Sequence, residues 1–360
     1  MNPETKDVID IKKLLKSVLH YGSSDLHLVV GSEPQIRIDK ELKPLDLPVL
    51  EAIDIEEMSY SLISDKQKKD FEDKLELDFS FELDGIGRFR ANYYHTIYGI
   101  GCAFRMIPLE VPSLDKYNNN PIFKELIKKE RGLILVTGPT GSGKSTTLAS
   151  MLNEINITEK RHIITIEDPV EFVHKNKKSL FSQRDVGTNT NSFAEALKHA
   201  LRQDPDIIFI GEMRDAETIG AALTAAETGH LVFGTLHTNS APGTINRIID
   251  VFQGDEQAQV RAQLAASLVA IISQSLIPVI GGGKVAVQEI LIANPAINNL
   301  IREDKVHQLY SQMQLNQKET NMTTQTVEIF NLLKKNIISK ENAIKNSNRP
   351  DELKKMLEAL

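Results

Sequence analysis

Cysteine is almost missing from this chain: Cys102 stands alone among 360 residues. One thiol excludes an intrachain disulfide and every cysteine-rich zinc site. Long apolar runs are missing too, so no stretch reads as a membrane-spanning helix. The polar, acidic opening from Met1 to Asp7 lacks the pattern of a secretory signal, which makes a reducing cytosol the default expectation. Basic excess is a third absence. Lys and Arg total 42 against 49 Asp and Glu, a net charge of −7. That balance leaves no electrostatic footprint for general nucleic-acid or acidic-membrane binding. Repeats and low-complexity tracts are also lacking. What is present is 41% hydrophobic, enough for real cores. At about 150 residues per domain the length predicts two or three domains.

The chain is organised around residues 132–147. Leu133 to Val136 reads as a buried strand, broken at Gly138-Pro139 and restarting as a helix near Lys144. Between them lies G-x-x-x-x-G-K-S, covering Gly138, Pro139, Thr140, Gly141, Ser142, Gly143, Lys144 and Ser145, with Thr146 following. Glycines let the backbone wrap so that its N–H groups point at phosphate oxygens, and the helix N-terminus adds partial positive charge. Lys144 supplies a cation for the β- and γ-phosphates of ATP, and the Ser145 hydroxyl is a ligand for Mg²⁺.

Before this motif the pattern is α+β. A helical face runs through residues 8–20, with strands at 25–30 and 35–39, and capping-box spacing at Ser64 to Gln67 opens a helix. Leu75 to Leu83 alternates as a half-buried strand. Two more follow, their cores Phe89, Ala91, Tyr93 and Cys102, Phe104, Met106. Their other face carries Arg88, Arg90 and Arg105. Three prolines between 107 and 121 mark a linker. The expected boundaries are an N-terminal domain at 1–107, a linker at 108–122, an ATPase domain at 123–295 and a helical region at 296–360.

From residue 123 strands alternate with helices, as in a parallel α/β sheet. Expected strands are 133–136, 162–166, 206–210, 231–236 and 285–292, with a long amphipathic helix over about 256–277. Acids sit at two strand ends. Pro169 stops the strand that ends at Ile166, leaving Glu167 and Asp168 at the rim. The stretch Ile207–Asp215 resembles a Walker B strand with Gly211 where most P-loop enzymes keep Asp, so Glu212 takes the Mg²⁺-side role. Glu167 is the candidate for polarising the attacking water. His237 closes a strand at the same rim and is placed to hydrogen-bond the γ-phosphate; His230 opens that strand and reads as structural.

These boxes in this order resemble the secretion-type ring ATPases of type IV pilus and type II secretion systems, and among them the pilus-retraction branch. The resemblance rests on Ser24–Leu28, Gly87–Arg90, Thr137–Thr146, Thr165–Phe172, Asp204–Asp215 and Glu227–Thr238. It implies a PAS-like N-terminal domain, a RecA-like ATPase domain and a homohexameric ring. Arg90 and Arg105 would then reach ATP as sensor arginines, with Arg88 a third. It also implies mechanical work on pili, an inner-membrane platform protein as partner, and a cytoplasmic place at the inner face of that membrane, held through partners alone. Assembly-type relatives carry a four-cysteine zinc element that one cysteine excludes. The retraction branch carries Ala-Ile-Arg-Asn-Leu-Ile-Arg; here Ala296–Arg302 has Asn298 in place of the first Arg. Competing readings are an accessory retraction paralogue, another secretion-type motor, a nucleotide-gated scaffold, and a nucleic-acid translocase, which the net charge argues against.

Overall fold

The computed structural model describes residues 9–38, 41–108, 110–117, 120–315 and 317–359. The chain divides into two compact units, Met1–Glu110 and Val111–Leu360.

The first unit is built on a six-stranded antiparallel sheet. Its strands are β1 (Asp25–Leu28), β2 (Gln35–Ile38), β3 (Glu41–Pro44), β4 (Glu76–Leu83), β5 (Gly87–Thr96) and β6 (Gly99–Ile107). They lie in the order β3-β2-β1-β6-β5-β4. Alternation decides which way each side chain points. Phe89, Ala91 and Tyr93 of β5 are fully buried, as are Cys102 and Phe104 of β6, while Arg88, Arg90 and Arg105 take the other face. The helix Ile11–His20 buries Ile11, Leu14, Leu15 and Val18, the i, i+3, i+4, i+7 stripe of an amphipathic helix. The helix Asp65–Lys74 starts in the expected box, with both Ser64–Gln67 bonds made. Two elements had no readable period. β3 is exposed along its whole length and ends in Pro44, and the helix Ala52–Tyr60 presents only a short buried face. Asp39, expected as a strand end, lies outside the described residues.

The second unit is a seven-stranded sheet ordered β13-β12-β7-β11-β10-β8-β9. Its strands are β7 (Gly132–Thr137), β8 (His162–Glu167), β9 (Leu180–Asp185), β10 (Ile207–Ile210), β11 (Leu231–Leu236), β12 (Leu268–Pro278) and β13 (Lys284–Ile292). All neighbours are parallel except the β12–β13 hairpin. Helices cover both faces, which is why β7, β10 and β11 are buried at every position. On one face Leu148, Met151, Leu152 and Ile155 of the helix Lys144–Thr158 pack on Ile134, Val136 and Phe233. On the other, the helices Ala216–Glu227, Ala241–Asp250 and Gln257–Ser267 pack on Leu133, Leu135, Ile208 and Ile210.

The expected helix over 256–277 is corrected. The helix ends at Ser267, and β12 runs from Leu268 beside β7. Val269, Ile271 and Ile272 are β-branched and suit a strand. A strand buried on both faces is a continuous apolar run with no period to separate it from a helix. β9 was also missed, because this edge strand is polar and half-exposed. Residues 305–314 break into a 3₁₀ turn, Val306–Gln308, and the helix Leu309–Gln314. Helices Gln325–Lys334, Lys340–Asn346 and Pro350–Glu358 close over the far end of the β12–β13 hairpin through Ile277, Val287, Ile329, Ile338 and Leu353. Among the described residues no helix is long and apolar enough to cross a membrane.

Part of the stretch expected as linker is built into the second core. Leu114, 1% exposed, and Ile122 join the cluster around Leu148 and Phe233. Leu114→Ala is therefore expected to lower the stability of the second unit by about 2–5 kcal/mol, read as an earlier urea midpoint. An unchanged midpoint would make residues 111–122 a loose connector.

Candidate active site

Parallel alignment brings the ends of β7, β8, β10 and β11 to one rim. The loop after β7 has the conformation its glycines require. Gly138 has φ 144°, and a Cβ there would lie 2.1 Å from the carbonyl oxygen of Gln274. Gly143, φ 87°, precedes the helix Lys144–Thr158, whose first turn holds no acid to oppose an anion. Pro139, Thr140 and Gly141 are exposed, and Ser145 and Thr146 half-buried. Lys144 curls back over the loop, donating from Nζ to the carbonyls of Gly138 at 2.8 Å and Pro139 at 3.2 Å. Burial lowers its pKa, opposed by Glu212 and Glu171.

Gln274 of β12 holds this loop from behind, and nothing in the sequence signalled it. It is buried, donates from Nε2 to the Ser142 carbonyl at 2.7 Å, and accepts from Thr147 Oγ1 at 2.9 Å and Gln288 Nε2 at 3.0 Å. Its backbone carbonyl is also the atom that excludes any side chain at position 138.

Glu167 is the last residue of β8 and is 7% exposed. Glu167 lines a small pocket with Ser145, Phe172, His174 and Phe209. Burial pushes its pKa from 4.5 up to about 7, helped by the nearby Glu171 and Asp185 carboxylates and opposed by the hydrogen bond it accepts from the Glu171 N–H at 3.3 Å. Gly211 lies directly beside it. A Cβ at 211 would come within 3.1 Å of the Glu167 Cα and 3.2 Å of the Ile166 carbonyl oxygen. The glycine at the Walker B position thus lets Glu167 and the next strand end sit close.

Glu212 meets two partners across that strand end. Arg214 grips it in a fork, Nε to Oε1 at 2.6 Å and Nη2 to Oε2 at 2.6 Å. His237 Nε2 lies 3.1 Å from Oε1. Burial raises the Glu212 pKa, but Arg214 and His237 outweigh it and hold the carboxyl below its usual range. Sequence alone did not pair Arg214 or His237 with Glu212. Asp215 serves the next helix, accepting from the Thr218 N–H at 2.8 Å. His230 turns away, its Nδ1 3.0 Å from the Ala225 carbonyl.

The arginines of the first unit form a group of their own. Arg90 and Arg105 are direct cross-strand partners on β5 and β6. Like charges in that position weaken a sheet. Arg105 Nε donates to Asp25 Oδ1 at 2.7 Å, Arg90 Nη2 lies 3.9 Å from Asp78 Oδ1, and Arg88 Nη2 donates to Ser80 Oγ at 2.9 Å.

Glu167 sets a stability signature. The folded chain keeps its proton up to about pH 7, whereas an ordinary Glu releases it near 4.5. Unfolding between those values releases a proton, so this group's contribution is full below about pH 4.5 and lost as pH rises through 7. Glu167→Gln removes the titration. It should stabilise the protein above pH 7, on the order of 3 kcal/mol, with the gain vanishing toward pH 4.5. Denaturant midpoints of both proteins at pH 5 and pH 8 check this. A gain equal at both pH values would assign the effect to packing.

Residues 4–282 match the family model described as "Type II/IV secretion system protein". The type IV pilus retraction ATPase PilT of Pseudomonas aeruginosa is 52% identical over 343 residues, 95% of this chain and 99% of that protein. A twitching motility protein of Neisseria gonorrhoeae is 51% identical over 86% of this chain and 83% of its own. The crystal structure of the pilus retraction motor PilT with bound ADP superposes with a TM-score of 0.91 at 49% identity, covering 97% of this chain and 100% of that one. With its phosphate loop, rim acids and two-unit architecture, the chain belongs to the type II/IV secretion system protein family, a PAS-like α+β unit followed by a RecA-like ATPase unit.

Proposed function

We propose that this chain is a Mg²⁺-dependent ATPase that drives type IV pilus retraction, working as a homohexamer at the inner face of the cytoplasmic membrane against a membrane platform protein. One observation carries the chemistry: a buried acid near neutral pKa, Glu167, shares a pocket with Ser145 at the start of the phosphate-loop helix. The retraction assignment follows the likeness to PilT along nearly the whole chain.

In this reading the loop N–H groups after Pro139 cradle the ATP phosphates, and Lys144 leaves the Gly138 and Pro139 carbonyls to bind the β- and γ-phosphates. Glu167 takes the proton of the attacking water; a pKa near the working pH is what a general base needs. Ser145 and Glu212 fit Mg²⁺ as hard oxygen donors, one of them an ionised carboxylate. When bound, the ion neutralises charge on the phosphates. His237 joins Glu212 to the γ-phosphate and passes its presence to the helix Ala241–Asp250 that follows. Arg90 and Arg105 complete the site of a neighbouring subunit. The helix Pro295–Arg302 buries Ile297 and Ile301, so the retraction-type segment keeps its apolar face despite Asn298.

Lys144→Ala should abolish phosphate release while the thermal melt stays unchanged, and near-normal hydrolysis would remove the loop from the mechanism. Arg105→Ala should slow turnover by roughly 10³–10⁵. Mixing these two proteins should restore part of the activity, because some sites in mixed rings carry neither lesion. No recovery in rings shown to exchange subunits would place the arginine's action within its own chain.

The retraction role has its own test. Cells lacking the protein should carry surplus pili that do not shorten under live imaging. Normal shortening in those cells would assign the motor to another secretion process.

A further inference from the structure

The outward face of the first unit's sheet carries one cross-strand row. From β2 to β4 it reads Arg37, Asp25, Arg105, Arg90 and Ser80. Asp25 is the acid of that row and a buried one, 6% exposed. A buried carboxylate persists when its lone pairs are occupied. Here Oδ1 accepts from Arg105 Nε at 2.7 Å and Oδ2 from Ser24 Oγ at 2.6 Å. Burial pushes its pKa up, but Ser24 and Arg105 bring it below the ordinary range, so the bond to Arg105 is charge-assisted.

The two partners are unequal. Asp25 is sunk in the sheet, while 71% of the Arg105 side chain is exposed. A bond through Nε fixes the long stem of an arginine and leaves the planar Nη pair as a fork facing outward. That arrangement meets the loss of side-chain freedom before a ligand arrives. The same carboxylate also offsets the repulsion between Arg105 and Arg90, its cross-strand partner.

We propose that Asp25 is a positioning residue for turnover, holding Arg105 so that its terminal N–H groups are presented to the triphosphate bound by a neighbouring subunit. This rests on the trans-arginine reading given above. Asp25 itself touches no substrate; it acts through Arg105. The interaction it sets up strengthens as charge develops on the transferred phosphoryl group, so kcat falls when it is lost and KM does not.

The test is a double-mutant cycle on the full-length assembled protein, with steady-state ATP hydrolysis as readout. Asp25→Ala should lower kcat by about 10- to 100-fold, the scale of a misplaced catalytic group, with KM for ATP unchanged. Asp25→Asn keeps an acceptor for Nε and should recover part of that loss. In an Arg105→Ala background, Asp25→Ala should add no further loss, since both lesions act through one guanidinium. Should Asp25→Ala fail to fold, Asp25→Asn alone and combined with Arg105→Ala makes the same comparison. An Asp25 substitution that slows Arg105→Ala further, or one that leaves kcat intact while Arg105→Ala is inactive, overturns the proposal and leaves the trans arginine standing. Wild-type turnover by Arg105→Ala overturns both.

Discussion

Parallel hydrogen bonding between β7, β11, β10 and β8 is the constraint on which the candidate site depends. The register places Leu135, Gly234, Ile210 and Ile166 level with one another. One residue beyond that line stand Thr235, Gly211 and Glu167, and the phosphate loop begins just past it. Parallel strands all leave the sheet at the same edge, so loops remote in sequence converge there. The close approach is possible because Gly211 and Gly234 have no side chain. A Cβ at 234 would lie 2.4 Å from the Met213 sulfur, and one at 211 would press on Glu167. Gln274 extends the constraint to the other flank of β7, tying β12 to Ser142 and Thr147.

On that rim two carboxylates are driven in opposite directions by their surroundings. Glu167 is enclosed by Phe172, Phe209 and the strand end, so burial dominates and the proton is held to about pH 7. Glu212 is also partly buried, but a forked Arg214 and His237 keep it ionised. Separated pKa values in one site are how identical functional groups take different chemical roles. Lys144 feels Glu212 as well as Glu171, so the cation of the loop is coupled to acids from two strand ends.

The first unit follows a different logic. Its core is set by alternation, and its chemistry is what alternation puts outside. Asp25 and Arg105 are 80 residues apart in sequence, yet they face each other because β1 and β6 are neighbours in the sheet. Arg90 and Arg105 are cross-strand partners of like charge, and the Asp25 carboxylate bound to Arg105 offsets their repulsion.

Local features were legible in the sequence. The phosphate loop, the Ser64 capping box, the Ile11–Val18 stripe and the outward turn of Arg88, Arg90 and Arg105 each depend on spacing within a few residues. The ends of β8 and β10 were legible too, because Pro169 and Gly211 punctuate them. β12 was not, since a strand buried on both faces carries no period, and Gln274 was lost with it. Nor were the grip of Arg214 and His237 on Glu212 or that of Asp25 on Arg105. By itself the sequence determined which groups are available for phosphate chemistry and near which strand ends they lie. The tertiary structure decided which of them touch, because contact follows strand order and register, which are settled by the packing of the whole sheet and written in no local pattern.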